Sequence, residues 1–290
     1  MSTLGIDIGG TSIKAALAGP QGIVTQRSAE YALPTLEVLV AALKQAVPAS
    51  RDPVEAIGLC VPGRLNAEGT KVEHSINVPA LQALPLREIL AAGLGASVGT
   101  KLRIESDAFA SAYGHWERTG RRPGRLFAVA LGTGVGACVL ETGEPLRFTG
   151  GGAGHFGQID VSLDSHAPAG RDGVRGSLEA YLGAQSLRQQ LGDGFAARLG
   201  DLDSESVPLR ALAKALHTAH ALFRPDRIAL LGFIGERLAP AAEQVRRAIE
   251  RDLPSVARKS WTLEFAQSPF LAAIGVGLLA GKSDQAGVGR

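Results

Sequence analysis

The chain has 290 residues, of which 45% are hydrophobic and 20% are charged, with a mean hydropathy of +0.11. This balance excludes disordered, fibrous and collagen-like proteins, and the length favours two domains or one large one. The formal net charge of +2 is too small to make nucleic acid or an anionic membrane the default partner, so neither is predicted as one.

Both cysteines, Cys60 and Cys138, lie within apolar runs, which favours small core residues over a disulfide or a metal site. A reducing compartment fits this usage. The N-terminal residues lack the basic and then apolar pattern of a signal peptide. The longest apolar run, Phe270 to Ala280, is too short to span a bilayer. We therefore expect a cytoplasmic protein.

In chain order, short β-rich runs alternate with helical patterns, and glycines punctuate them, which predicts an α/β fold. The predicted strands are Thr3 to Ile8, Ile13 to Ala18, Ile23 to Ala29, Ala56 to Val61, Leu102 to Glu105, Leu126 to Leu131, Ala137 to Leu140, Ile228 to Leu231 and Thr262 to Phe265. The predicted helices are Leu36 to Ala46, Leu86 to Leu94, Ala108 to Thr119, Ser177 to Leu191, Val207 to Phe223 and Ala239 to Leu253.

A basic segment rich in Gly and Pro, Arg118 to Arg125, marks a domain boundary. The segments LGIDIGGTSIKAALAG and VALGTGVGACVLETG, one on each side of it, both read as strand, glycine turn and strand. Their literal identity is low, so they hint at two related halves without proving a repeat.

The two glycine turns are candidate phosphate-binding loops. Glycines permit close approach of backbone amides to a ligand, and the threonines add hydroxyl donors. Neither turn matches the Walker pattern, and the second is not a Rossmann signature because the residues after it alternate as a strand. For either turn alone, a tight hairpin is about as compatible with the sequence as phosphate binding. Two such turns, one in each half, favour a polyphosphate ligand. The residues concerned are Gly9, Gly10, Thr11, Gly132, Thr133, Gly134 and Gly136.

Acidic residues stand near the predicted ends of two strands. Asp7 ends the first strand, where a carboxylate could hold Mg²⁺ or its waters beside phosphates, with capping of the turn as the alternative. Lys14, in the returning strand, either leans toward the phosphates or is an exposed lysine. Asp107 precedes a helix, so a helix N-cap is the simpler role, yet α/β proteins place ligands at such strand ends.

Together these motifs resemble the ROK family of sugar kinases and related regulators, over nearly the whole chain. The resemblance rests on GIDIGGTSIKAAL, CVPG at Cys60 to Gly63, SINVP, SDA at Ser106 to Ala108, ALGTGVGA, GSLEAYL at Gly176 to Leu182 and AAIGVGLLA. It implies the actin-like (ribonuclease H-like) α/β fold, with two domains and a cleft between them. We expect residues 1–118 with 270–283 to form one domain, residues 119–269 the other, and residues 284–290 a flexible tail.

The resemblance also implies roles for individual residues. Asp107 matches the general base that takes the proton of a sugar hydroxyl as the hydroxyl attacks the γ-phosphate of ATP, with Mg²⁺ neutralising charge. Asn77 and Glu179 match sugar-binding residues. Gly232 and Gly235, within LLGFIG, match the region beside the adenosine. ROK proteins are often dimers, so a homodimer is a candidate assembly.

The chain departs from the family pattern at its sugar site. His155 and Gln158 stand within the segment where the family has a Glu-x-Gly-His element, Ser106 replaces an asparagine, and the cysteines of the zinc loop are absent. A structural zinc site needs four good donors, so we expect no zinc. His155 is either an ordinary structural histidine or a sugar contact that both donates and accepts; we favour contact, and we include Ser106 and Gln158 as substrate-binding candidates.

The leading hypothesis is therefore an ATP-dependent carbohydrate kinase. A polyphosphate donor is a variant of it, although no basic track is evident. The alternative is a catalytically weak sugar-binding or regulatory protein. A ROK repressor carries a helix-turn-helix before the kinase-like part, and we expect none here because the first phosphate strand starts at residue 3.

Overall fold

A computed structural model describes residues 2–50, 52–66, 68–75, 78–82, 84–95, 101–147, 154–171, 173–253, 255, 257 and 260–282. The chain divides into two units. The first runs to Glu117 and includes the segment from Phe270, and the second is Arg118–Pro269. The predicted residue Asn77 and the predicted tail 284–290 lie outside the described residues.

Strands and helices alternate along the chain as the sequence predicts. The strands are β1 (Ser2–Ile8), β2 (Ile13–Gly19), β3 (Gly22–Arg27), β4 (Val54–Val61), β5 (Arg64–Leu65), β6 (Val72–His74), β7 (Lys101–Ser106), β8 (Arg125–Leu131), β9 (Val135–Glu141), β10 (Glu144–Pro145), β11 (Arg227–Leu231) and β12 (Thr262–Phe265). The helices are α1 (Leu36–Ala46), α2 (Leu86–Leu94), α3 (Asp107–Arg118), α4 (Leu178–Leu182), α5 (Ala184–Leu191), α6 (Phe195–Arg198), α7 (Val207–Phe223), α8 (Gly232–Arg237), α9 (Ala242–Arg251) and α10 (Leu271–Gly281). Short 3-10 turns are Pro79–Leu81, Phe156–Gln158, Leu199–Asp201 and Ala239–Ala241.

Each unit contains one five-stranded sheet with the same topology. The first has the order β3-β2-β1-β4-β7 and the second β10-β9-β8-β11-β12. In each sheet, the first three strands of the order form an antiparallel meander. The central strand then pairs in parallel with the fourth strand, which pairs in parallel with the fifth. The internal resemblance between the two sequence halves is therefore confirmed as a repeated topology.

The first sheet is packed closely against α10 through glycines. A Cβ on Gly5 would lie 1.8 Å from the carbonyl oxygen of Ala273, and one on Gly58 would lie 2.1 Å from that of Val276. In the aliphatic core of the first unit, Ile6 and Leu59 of the sheet are buried together with Leu43 of α1. Within the described residues, no helix is both long and apolar enough to cross a membrane.

The second unit has its own core, where Phe127 and Val129 of β8 pack with α4, α7 and α9. Two predicted helices differ from the observed ones. The helix predicted at 177–191 is broken at Gly183, whose backbone is extended (φ −64°, ψ 147°), and glycine has a low helix propensity. A Cβ at this position would lie 2.9 Å from the Glu179 carbonyl oxygen, which favours glycine there. The helix predicted from Ala239 begins as a 3-10 turn instead.

Candidate functional site

The carboxyl end of the first sheet carries a buried carboxylate paired with a lysine. Asp7 is 8% exposed and lies across the antiparallel pair from Lys14, whose Nζ is 3.7 Å from Asp7 Oδ2. Burial raises the pKa of Asp7, and the positive charge of Lys14 opposes this shift. The strand register therefore places Lys14 beside the Asp7 carboxylate as well as close to the first glycine turn.

The first glycine turn joins β1 to β2 and is closed by a hydrogen bond from the Gly9 amide to the Ser12 carbonyl, at 3.0 Å. A Cβ on Gly9 would lie 2.9 Å from that same oxygen, so a larger residue would disturb the turn. Tyr31 contacts the turn from outside, since its hydroxyl donates to the Gly9 carbonyl at 2.7 Å. Its amide donates to the Thr11 carbonyl at 2.9 Å. The local hairpin predicted as the alternative is thus present.

Asp107 is the first residue of α3, directly after β7. The capping role belongs to its neighbour, because the Ser106 hydroxyl accepts from the Phe109 amide at 3.3 Å. Asp107 Oδ1 accepts from the adjacent Ala108 amide at 2.8 Å. The side chain keeps an exposed surface that a substrate can reach.

The pKa of Asp107 is raised to about 6, because the surrounding protein disfavours its charge and Asp7 repels it. The strand register explains this repulsion: Asp7 pairs with Cys60 and Cys60 pairs with Glu105, so both aspartates stand at the same sheet edge. A carboxylate that titrates near neutral pH is suited to accept a proton from a hydroxyl.

Asp7 and Asp107 also fit a magnesium ion. Mg²⁺ is usually held by one or two carboxylates together with substrate phosphates and waters, not by an all-protein cage. A buried carboxylate of raised pKa beside a second one is a pair whose repulsion a divalent cation would relieve. Among the described residues, no group of three or more His, Cys, Asp or Glu side chains is arranged to hold a metal.

The second glycine turn lies at the corresponding edge of the second sheet. Gly132 follows β8, and its amide donates to the Gly134 carbonyl at 3.0 Å. The Gly132 carbonyl accepts from the Ala184 amide of α5 at 3.0 Å, and a Cβ on Gly132 would meet nothing within 4 Å. The turn is therefore anchored on one side and open at Gly132, as a ligand-binding loop requires.

Gly232 stands beside that turn, at the end of β11. Its φ of +77° favours glycine, and a Cβ there would lie 2.4 Å from the Leu131 carbonyl. Gly235 is equally constrained, because its Cβ would lie 2.5 Å from the Leu230 carbonyl. The structure thus brings two predicted nucleotide-binding segments, the second turn and the start of α8, together.

The sugar-site candidates of the second unit lie around the start of β9. Glu179 Oε2 accepts from the Val135 amide at 2.8 Å, and a Cβ on Gly157 would lie 2.2 Å from the Val135 carbonyl. His155 and Gln158 flank Gly157, and both are exposed. Glu179 thus has a structural hydrogen bond in addition to its predicted role, whereas His155 and Gln158 present their side chains to solvent.

Tyr31 is not among the site residues predicted from the sequence. Its hydrogen bond with Gly9 joins residues that are 22 positions apart in the sequence. The sequence around Tyr31 contains no local pattern that predicts a contact with the turn. Only the end of β3, which returns the chain to the β1–β2 turn, brings it there.

The family model of the ROK family matches residues 3–280. The chain belongs to the ROK family. This confirms the predicted membership. It is 28% identical over 236 residues to a glucokinase of Thermotoga maritima, a match that covers 80% of this chain and 73% of that protein. It is also 28% identical over 218 residues to an N-acetylmannosamine kinase of Escherichia coli O157:H7, which covers 73% of this chain and 70% of that one.

Among solved structures, the chain resembles a ROK family glucokinase from Streptomyces griseus determined in complex with glucose and AMPPNP. The TM-score is 0.72, with 22% identity, over 97% of this chain and 99% of that one. At that identity the likeness concerns the fold, and it confirms the predicted α/β fold of the actin-like class.

Proposed function

We propose that this sugar kinase of the ROK family transfers the γ-phosphate of ATP to a hydroxyl group of a hexose-type sugar. The observation that carries the proposal is Asp107. It begins a helix, leaves capping to Ser106, keeps an exposed surface and has a pKa raised to about 6. A purely structural aspartate would not need this combination.

The proposed reaction is a direct transfer of the γ-phosphoryl group from ATP to the sugar. The sugar hydroxyl oxygen forms a bond to the γ-phosphorus, the bond from that phosphorus to the bridging oxygen of ADP breaks, and the hydroxyl proton passes to Asp107. Phosphoryl transfer leaves little covalent work to the protein, so most of the rate comes from positioning and charge neutralisation. Asp107 orients the hydroxyl and accepts its proton.

The remaining groups serve the nucleotide. Mg²⁺, when bound with ATP, would be held through Asp7, directly or through water, and would neutralise charge on the phosphates. Lys14 neutralises Asp7. Gly9, Gly10 and Thr11 would contact phosphate oxygens. In the second unit, Gly132, Thr133 and Gly134 would do the same, with Gly232 and Gly235 beside the adenosine.

The sugar class is the finer part of the proposal. Glu179, His155 and Gln158 supply one carboxylate, one imidazole and one amide, a set that both donates to and accepts from sugar hydroxyls. The curated relatives act, by their names, on glucose and on N-acetylmannosamine, so both belong in the substrate panel. Asn77 and Ser106 complete the proposed sugar contacts, and the absence of zinc stays a prediction.

The test is ADP release in the presence of ATP and Mg²⁺, across hexoses, N-acetylhexosamines and ketoses, with inorganic polyphosphate as an alternative donor. Asp107→Asn keeps the size of the side chain and removes the base, so we expect turnover to fall by roughly 10²-fold or more. Asp52→Asn changes an exposed aspartate of the same unit and is the matched control. Equal rates for wild type and Asp107→Asn would refute the assigned base.

A catalytically weak sugar-binding protein is the second candidate, because His155 and Gln158 depart from the family pattern at exposed positions. Calorimetric titration with the same sugars separates the two. Sugar binding without any ADP release from wild type would favour the binding protein, whereas measurable release removes it.

A further inference from the structure

The first glycine turn is held from one side by the segment that follows β3. Ser28 bonds to Ile13 in both directions, since its amide donates to the Ile13 carbonyl at 2.9 Å and its hydroxyl accepts from the Ile13 amide at 3.0 Å. Tyr31 then bonds to the turn itself, with its hydroxyl at the Gly9 carbonyl and its amide at the Thr11 carbonyl.

These two carbonyls determine where the neighbouring amides point. In a planar trans peptide, the C=O of one residue and the N–H of the next point in opposite directions. Because the Gly9 carbonyl faces Tyr31, the Gly10 N–H faces away from it. For the same reason, the Ser12 N–H faces away from the Tyr31 amide. Tyr31 thus orients two peptide units of the turn.

The two amides oriented in this way are free to bind a ligand. Across the described residues, no protein group accepts a hydrogen bond from the Gly10 or the Ser12 amide. Ser12 is nevertheless 5% exposed, and a buried amide without a partner is unfavourable. Backbone N–H groups of a turn can form an anion-binding concavity, and the Gly10 and Ser12 amides, one on each side of Thr11, are available for it.

We propose that Tyr31 is a positioning residue: it orients the Gly10 and Ser12 amides toward a phosphate oxygen of the nucleotide. This inference rests on the proposed function, whose nucleotide it serves. Tyr31 does not touch the phosphate. It acts through the Gly9 and Thr11 carbonyls, and it suits this role because partial burial and the nearby charge of Asp7 raise the pKa of its phenol, which stays protonated as a donor.

Tyr31→Phe tests the hydroxyl alone, since the ring and the backbone amide remain. One hydrogen bond contributes about 1 kcal/mol, or roughly fivefold in affinity. We expect the Kd for Mg²⁺–ADP and the KM for ATP to rise about fivefold. The KM for the sugar and kcat should stay unchanged, because the contact holds the phosphate equally in the ground and transition states.

Tyr181→Phe is the matched control, because it also removes a tyrosine hydroxyl that bonds to backbone, in this case the Leu163 amide at 3.2 Å. It should leave the Kd for Mg²⁺–ADP unchanged. An unchanged Kd in Tyr31→Phe would overturn the inference. So would a drop in melting temperature with parallel increases in both KM values, which indicates a general structural role.

The Kd is measured by calorimetry and does not depend on turnover. If wild type binds Mg²⁺–ADP but phosphorylates no sugar, the proposed function fails while Tyr31 is still tested. If wild type binds no Mg²⁺–ADP at all, the turn is not a phosphate site and the inference fails with it.

Discussion

Lys14 lies directly across β1 and β2 from Asp7, and its Nζ is 3.7 Å from Asp7 Oδ2. This pairing matters because burial raises the pKa of Asp7, and Lys14 is the cation that opposes the shift. The same lysine also lowers the pKa of Asp107, whereas Asp7 raises it. The three side chains therefore form one electrostatic unit.

Lys14→Met should weaken the use of Mg²⁺. Without the lysine, the charged form of Asp7 is less favoured, so more Mg²⁺ is needed to reach half of the maximal rate, by roughly three- to tenfold for about 1 kcal/mol of lost pairing. The measurement is turnover against Mg²⁺ concentration at saturating ATP. Lys44→Met removes an exposed lysine of α1 and should leave the curve in place. Identical curves for Lys14→Met and wild type would contradict the prediction.

Activity should fall as the medium becomes acidic. Asp107 must be deprotonated to accept the proton, and its pKa is about 6, so kcat/KM for the sugar should decrease about tenfold per pH unit below that value. Lys14→Met should move this fall to higher pH, because Lys14 lowers the pKa of Asp107. A profile that stays flat down to pH 5 would show that Asp107 is not the titrating base.

Asp107→Asn should stabilise the protein at neutral pH. The folded state raises the pKa of Asp107 above its usual value, so this residue lowers stability as the pH rises from about 4 to 6. Solvent screens the exposed group, and we expect a gain of only about 1 kcal/mol for the variant. Denaturation at pH 7.5 and at pH 4 checks this, because the gain should be present at the first pH and absent at the second.

His220 should make the second unit sensitive to acid. It is 0% exposed, neither ring nitrogen has a hydrogen-bond partner among the described residues, and burial together with the charge of His217 lowers its pKa to about 4. The unfolded chain takes up the proton from about pH 6.5, so stability should fall by up to about 2 kcal/mol between pH 8 and pH 5.

His220→Leu removes this proton uptake and places an apolar side chain against Trp261. In the wild type, the ring centroids of His220 and Trp261 are 5.2 Å apart. The variant should match or exceed wild type in denaturant stability at pH 8 and exceed it further at pH 5. If the difference between the two proteins is the same at both pH values, the histidine does not titrate on unfolding.

Gly58→Ala should destabilise the first unit. A Cβ at that position would lie 2.1 Å from the Val276 carbonyl of α10, and backbone cannot move aside as a side-chain tip can. We expect a loss of about 3 kcal/mol in denaturant unfolding. Gly194→Ala is the control, since a Cβ there would meet nothing within 4 Å and the φ of −80° suits alanine. Equal stability of Gly58→Ala and wild type would contradict the packing.

Much of the fold followed from local patterns. Short apolar runs and helical periodicity predicted the main strands, and the helices at Leu36, Leu86 and Val207 begin where the sequence placed them. The break at Gly183 escaped prediction because the periodicity continues through it, and only contact with the Glu179 and Thr133 carbonyls excludes a side chain there. Short strands such as β5 and β10 carry too few residues for a periodic signal.

In the candidate site, too, some features could be predicted from the sequence and others could not. Aspartates and glycines at strand ends can be read from the sequence, because strand ends and turns are local and their residue types are restricted by backbone geometry. The identity of the helix cap, Ser106 instead of Asp107, depends on side-chain geometry that spacing alone leaves open.

By itself, the sequence determined the family, the α/β class and the residue types available for phosphoryl transfer, since these depend on neighbours along the chain. Tertiary structure alone decided that Lys14 faces Asp7, that Glu179 bonds to the Val135 amide and that Tyr31 holds the Gly9 turn. The physical reason is that these contacts arise from strand register and chain return, which bring together groups that are distant in sequence.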